Sequence, residues 1–427
     1  MKDIFYKVKT INDHIKNKLK ISDMFILFFP LCNILYWLLQ AILHGNIIDS
    51  YFVNDYHNTG MDYFNMLSYF SADSPYDMDA NYPPMCFFLL RVLYHFIPTV
   101  LRDGDGFYYR ELMHAQILYI VYTTILLLAT WELTKYSYNG NYIEKTLLTI
   151  GVIFSGPVLF TLERGNLIFI CLPCILIFIN LYNSELRWQR WCAYAALSLA
   201  ASVKIYPALF GVLILHKKRY KEGILTAILG FLIFVLPCLA FGGMEAITGL
   251  LNGLRAASDL VRDRGLAYNF SFYNLIKIIY AIVGINASVP AAVKFLIPLF
   301  VCCTIFITGK EEWKKIYAIS LFCIWFPDFS YTYMLMLMIP PMLCCIKNCT
   351  GYIGNIYRLC FLIILIPLCL PKMEYLDPKV KFPLTMPTLV INMAICILTV
   401  VILKENITQY NILPEKKKQI HYVHSGG

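Results

Sequence analysis

Charge is scarce in this chain. Only 15% of its 427 residues are Asp, Glu, Lys or Arg, while 59% are apolar and the mean hydropathy is +0.61. A typical soluble domain carries about 25% charged residues, so a water-soluble fold of this length is excluded and the chain belongs in a bilayer. Nucleotide-binding signatures are also absent: there is neither a Walker loop nor a glycine-rich dinucleotide fingerprint. That removes a cytosolic site for a soluble nucleotide sugar. No zinc-ligand spacing occurs, and no cofactor is expected. Internal repeats, the mark of many secondary transporters, are not visible. The basic N-terminal stretch lacks a short apolar segment followed by a small-residue cleavage site. Residues 1–23 are therefore expected to be a cytosolic tail before an uncleaved first span from Met24 to Leu43.

What the chain does have is a succession of apolar runs, from Met24 to the C-terminal region, each long enough to approach the roughly 20 residues that a span requires. This predicts an all-α, polytopic membrane protein. The 15 cysteines lie mostly inside those runs, where a thiol acts as a small hydrophobe, so a disulfide framework is not expected. Cys171-Leu172-Pro173-Cys174 has redox spacing, but its position in mid-span makes it core packing. The net charge of +9 comes from short loops between spans, which is a topological signal and not a nucleic-acid surface.

Those loops separate by sign. Lys and Arg cluster around Lys135 and Lys145, Arg187 and Arg190, Lys217 to Lys221, Lys310 to Lys315, Lys347 to Arg358, and Lys404 to Lys418. The positive-inside rule places all of these in the cytosol. Residues 44–90 contain no Lys or Arg and carry six aspartates, including Asp55 and Asp62, so this stretch is expected outside. Keeping both statements true requires Tyr82 to Pro98 and Phe272 to Ile285 to lie along the outer surface. The expected layout is about 12 membrane segments in one transmembrane domain over 24–403. It has external loops at 44–110 and 242–288 and a cytosolic tail at 404–427.

Trp191 to Leu215 departs from this pattern, because both of its flanks are basic while Lys204 and Pro207 stand at its centre. A hairpin of two short helices keeps both flanks inside, and broken helices within a membrane occur where they line a cavity. A cation at that depth needs an anionic partner, which is either a carboxylate in a structural pair or a phosphate. On the outer side Asp62 could act as a general base, with Asp55 and His57 as competitors. Leu162-Glu163-Arg164-Gly165-Asn166 forms a turn that puts an acid, a guanidinium and an amide together. Arg262 and Arg264 in the second loop suit an anion or a solvated helix face. Asp328, Tyr331 and Tyr333 sit in a further turn open to packing or substrate contact.

Taken in order, Asp62-Tyr63-Phe64-Asn65, Pro75-Tyr76, Tyr82-Pro83-Pro84, Arg164-Gly165-Asn166, Lys204-Ile205-Tyr206-Pro207 and the Tyr331/Tyr333-to-Pro340 span resemble glycosyltransferase family 87. The Arg-Gly-Asn and Lys-Ile-Tyr-Pro pieces are also similar to the mannosyltransferase of glycosylphosphatidylinositol assembly. The resemblance implies a GT-C fold and a polyprenyl-phosphate sugar donor, of mannosyl or arabinofuranosyl type, with a glycan or glycolipid acceptor. It implies Asp62 as base, and the phosphate and substrate near Lys204, Arg164, Asn166, Tyr206, Tyr82, Arg262, Arg264, His57, Asp328 and Tyr331. The adjacent aspartate pair of metal-dependent relatives is not reproduced, since Asp55 and Asp62 are separated, so no divalent metal is expected. The expected membrane is the bacterial plasma membrane, with the site outside and no nucleic-acid partner. A secondary transporter or flippase, or a polymerase for lipid-linked glycans, are the alternative readings.

Overall fold

The computed structural model describes residues 21–42, 51, 59–72, 74–78, 80–102, 104–262, 266–285, 287–349, 351–368 and 384–424. Asp55, His57 and Arg264 lie outside them, as does the side chain of Arg262.

The described chain is helical throughout. In order run α1 (Ile21–Ile42), α2 (Met61–Ser68), α3 (Pro84–Tyr94), α4 (Met113–Ser137), α5 (Tyr142–Ile153), α6 (Gly156–Arg164), α7 (Cys171–Leu181) and α8 (Arg187–Val203). They are followed by α9 (Tyr220–Val235), α10 (Met244–Arg262), α11 (Phe272–Val283), α12 (Ala291–Thr308), α13 (Glu312–Trp325), α14 (Ile339–Asn348), α15 (Gly351–Leu365) and α16 (Met386–His424). Among the described residues there is no strand, only one antiparallel bridge between Asn269 and Tyr331.

Among the described residues, five helices are long and apolar enough to cross a membrane: Met24–Ile42, Met113–Ser137, Tyr220–Phe241, Ala291–Thr308 and Met386–Gln409. The α5–α6 pair, bent by 46° between Ile153 and Gly156, makes a sixth if taken as one span. This is an integral membrane protein. The other apolar helices are shorter, among them α3 and α11, which the charge pattern assigned to the outer surface. The described cysteines are all free, and Cys171 and Cys174 are buried in α7.

Helix boundaries follow local chemistry. Pro84 opens α3 at a position where its missing N–H leaves no bond unmade. Asn141 and Glu144 close a reciprocal capping box at the start of α5. At Lys204 the backbone turns extended, with φ −143° and ψ 132°, and α8 stops. The chain then continues as a 3-10 turn, Tyr206–Gly211, and the short helix Val212–His216. The expected break of the 191–215 segment therefore falls at the cation.

Arg190, near the start of α8, is paired at 2.8 Å with Glu222 of α9. At 1.5 Å rise per residue, Lys204 stands about 20 Å further along the same helix. Lys314 of α13 is fully enclosed between Glu311 at 2.9 Å and Glu405 of α16 at 2.7 Å.

Candidate active site

Three helices bring Asp62 to the Arg164-Gly165-Asn166 turn. Tyr63 of α2 is buried against Tyr119 and Tyr122 of α4, with ring centroids 5.0 and 6.1 Å apart. The Tyr119 hydroxyl donates to the Leu162 carbonyl at the end of α6. The ends of α2 and α6 then meet through two glycines. Gly60 and Gly165 both have left-handed backbones, φ +70° and +68°, which glycine adopts without a steric penalty. The Gly60 N–H donates to the Glu163 carbonyl at 2.6 Å. A Cβ on Gly165 would stand 2.9 Å from the Gly60 carbonyl oxygen, so no larger residue fits this approach.

That contact presents Asp62, in the first turn of α2, to the turn after α6. Arg164 Nη2 donates to Asp62 Oδ1 at 2.7 Å and Asn166 Nδ2 donates to Asp62 Oδ2 at 2.8 Å. The asparagine is oriented by its own backbone: its Oδ1 accepts the Ile168 N–H at 3.0 Å, which turns the NH2 group toward the carboxylate. The same Nδ2 donates to the Tyr82 hydroxyl oxygen at 3.3 Å. Both carboxylate oxygens keep an unused lone pair, because each can accept two hydrogen bonds.

Tyr82 joins this cluster to the broken helix. Lys204 Nζ lies over the Tyr82 ring, 5.2 Å from its centroid. The two are brought together by α3, whose Cys86 thiol donates to the Val203 carbonyl at 3.4 Å. No carboxylate lies within 4.0 Å of Lys204 among the described residues. Its side chain is half-buried and its charge lies over an aromatic face. Enclosure and, second, the Asp62 charge push the Tyr82 phenol well above its ordinary range, so it stays a neutral hydroxyl with its proton free to donate.

Beside Lys204 an apolar cavity of about 810 Å³ opens between α8, the 206–216 limb and α9. Ala201, Ile205, Ala208, Ala227 and Phe231 are among its walls. Small side chains on the facing helices leave this space unfilled.

The remaining predicted residues divide. Tyr331 stacks on Tyr333 at 5.5 Å and contributes to the electrostatic surroundings of Arg164. Tyr333 feels the charges of both Asp62 and Arg164 and the phenol of Tyr206. Asp328 is engaged elsewhere: its carboxylate pairs with Lys294, and its carbonyl accepts the Ser271 hydroxyl at 2.9 Å. It clamps the 266–274 segment to the 327–331 turn. Arg164, expected at a phosphate, pairs with Asp62, with which it shares low exposure, 16% and 17%. Lys294 and Ser271 carried no sequence signal, since each acts only through a partner distant in the chain.

The bundle thus brings together the Asp62 carboxylate, the Tyr82 hydroxyl and the Lys204 ammonium. The sequence profile of glycosyltransferase family 87 matches residues 81–327, more than half of the chain, and the protein belongs to that family. Comparison with curated proteins and with solved structures finds no match.

Proposed function

We propose that this glycosyltransferase, with a GT-C-type fold, moves a mannose-like hexose or a pentose from a polyprenyl-phosphate donor to an acceptor hydroxyl, with inversion, on the extracytoplasmic face of a bacterial plasma membrane. The observation that carries the reading is the convergence of Asp62, Arg164, Asn166, Tyr82 and Lys204 from four separate stretches of the chain. Asp62 removes the proton from the acceptor hydroxyl as that oxygen bonds to the anomeric carbon. The bond from that carbon to the phosphate oxygen breaks on the opposite side, and the electron pair leaves with the phosphate. Lys204 meets the charge that develops there, and preorganised electrostatics of this kind usually contributes most to catalysis. Phosphate is a competent leaving group, so no general acid is needed.

Arg164 and Asn166 hold the base in one rotamer, which matters because positional errors of about 1 Å can cost 100-fold in rate. The apolar cavity beside Lys204 suits the donor's hydrocarbon tail. The outer face is supported by the charge pattern: the site lies at the end of α8 remote from the basic loop that contains Arg190.

The test uses purified protein in nanodiscs with a panel of polyprenyl-phosphate sugars and their pyrophosphate counterparts. Asp62→Asn is expected to lose about 100-fold or more in transfer while remaining folded, within the usual range for a general base. Glu163→Gln, which alters the neighbouring carboxyl, is expected to retain activity. The opposite result would move the base to Glu163, and preference for pyrophosphate donors would make the enzyme a polymerase or ligase.

A further inference from the structure

A second cleft lies on the other side of α10 from the apolar cavity, and Met244 borders both. It encloses about 710 Å³ between the 3-10 turn Pro75–Met78 and the first turns of α10. Ser74, Tyr76 and Asp77 form one wall, and Glu245, Thr248 and Asn252 the other. The polar groups are two carboxylates, two aliphatic hydroxyls, a phenol and an amide, with no Lys or Arg among the lining residues. These are the groups that pair with the alternating donors and acceptors of sugar hydroxyls.

The walls are tied together. The Ser74 hydroxyl donates to the Phe241 carbonyl at 3.0 Å, and the Ser74 N–H donates to Asp77 Oδ2 at 3.2 Å. Gly249 lets α10 press on the turn, since a Cβ there would stand 2.6 Å from the Tyr76 Cβ. The cleft is also coupled to the base. The Tyr76 hydroxyl donates to the Tyr82 carbonyl at 2.9 Å, and the Tyr82 hydroxyl accepts from the asparagine that holds Asp62.

We propose that this cleft seats the acceptor, and that the receiving end of the acceptor is an uncharged glycan. The proposal rests on the glycosyl-transfer reading above. A phosphorylated or carboxylated sugar would bring a like charge against Asp77 and Glu245, with no Lys or Arg among the lining residues to offset it. The two substrates are thereby sorted by charge: the anionic leaving group goes to Lys204, and the neutral polyol to the carboxylate-lined cleft. Exclusion of a wrong partner by like charge is a common source of specificity.

The experiment incubates wild-type protein in nanodiscs with radiolabelled polyprenyl-phosphate sugars and a membrane glycolipid extract. Labelled glycans are then released from their lipids and separated by anion exchange. Label is expected in the unretained, neutral fraction; label confined to retained, anionic glycans overturns the proposal. If no donor labels any glycan, the glycosyl-transfer reading itself falls, which is a separate result. With the neutral acceptor so identified, Asp77→Lys combined with Glu245→Lys should raise the acceptor KM by about tenfold or more while kcat stays within about twofold, because the change acts on binding and not on the base. Glu245→Gln, a milder change at an exposed position, should raise it by a smaller factor. An unchanged acceptor KM in both folded variants would reject the cleft as the acceptor seat.

Discussion

Replacing Gly165 by alanine tests the site through its scaffold. Two penalties add at this position. A non-glycine residue in the left-handed region costs roughly 1 to 2 kcal/mol. The new methyl would also stand 2.9 Å from both the Gly60 carbonyl oxygen and the Tyr63 Cβ. Overpacking of that kind typically costs about 1 to 3 kcal/mol, so the sum is about 2 to 5 kcal/mol. To relieve the contact, the start of α2 must back away by a few tenths of an ångström. Asp62 lies between the two displaced residues, so its bonds at 2.7 and 2.8 Å to Arg164 and Asn166 lengthen. A fall of roughly tenfold to 100-fold in transfer rate is expected, given the sensitivity of catalysis to placement. Gly284, at the end of α11, is the control. It has φ +76°, and nothing lies within 4 Å of an added Cβ. Gly284→Ala should lose only about 1 to 2 kcal/mol and keep its specific activity. Denaturation midpoints in detergent and initial transfer rates at saturating donor read both quantities. If Gly165→Ala matches Gly284→Ala in both, the inter-glycine contact does not position the base.

Three further outcomes follow from the same geometry. Lys204→Met should raise the donor KM by roughly tenfold to 100-fold, the worth of about 1.5–3 kcal/mol for a charge-assisted bond, and Lys204→Arg should restore part of it; donor titrations of initial rate measure both. Tyr82→Phe keeps the ring beneath Lys204 and removes only the hydroxyl that accepts from Asn166, so it should cost about 1 kcal/mol, whereas Tyr82→Leu should also weaken donor binding; comparing donor KM in the two variants separates ring from hydroxyl. Lys314→Met strands Glu405 without its cation and should destabilise the protein by about 3–5 kcal/mol while leaving the specific activity of the folded fraction intact, as thermal denaturation and rate per folded molecule would report.

Much of the fold was legible because hydropathy is a local property. The run from Met113 to Ser137 is apolar enough that no partner is needed to make it a membrane helix. The interruption at Lys204 was equally plain: a lysine followed three residues later by proline cannot sit unremarked in a span, and the helix ends there. Arg164-Gly165-Asn166 announced a turn because glycine followed a run of helix formers, and Gly165 does adopt the left-handed cap. The number of crossings was less legible. Short apolar helices such as α3 and α11 carry the same composition whether they cross or lie flat.

The partners of the charged residues could not be read from the chain. Asp62 and Arg164 are 102 residues apart, and nothing in either neighbourhood selects the other. That Arg164 pairs with the Asp62 carboxylate is visible only once the helices are packed. Asp328 pairs with Lys294, 34 positions earlier, a partner that nothing in its own turn names.

The sequence by itself determined that this protein is helical, that it lives in a bilayer, and which few polar residues are too costly there to be incidental. Only the tertiary structure decided how those residues pair, which carboxylate is held, and that Lys204 has no carboxylate within 4.0 Å among the described residues. The reason is that apolar helix faces are nearly interchangeable in sequence, whereas the contact between Gly60 and Gly165 depends on how the helices pack.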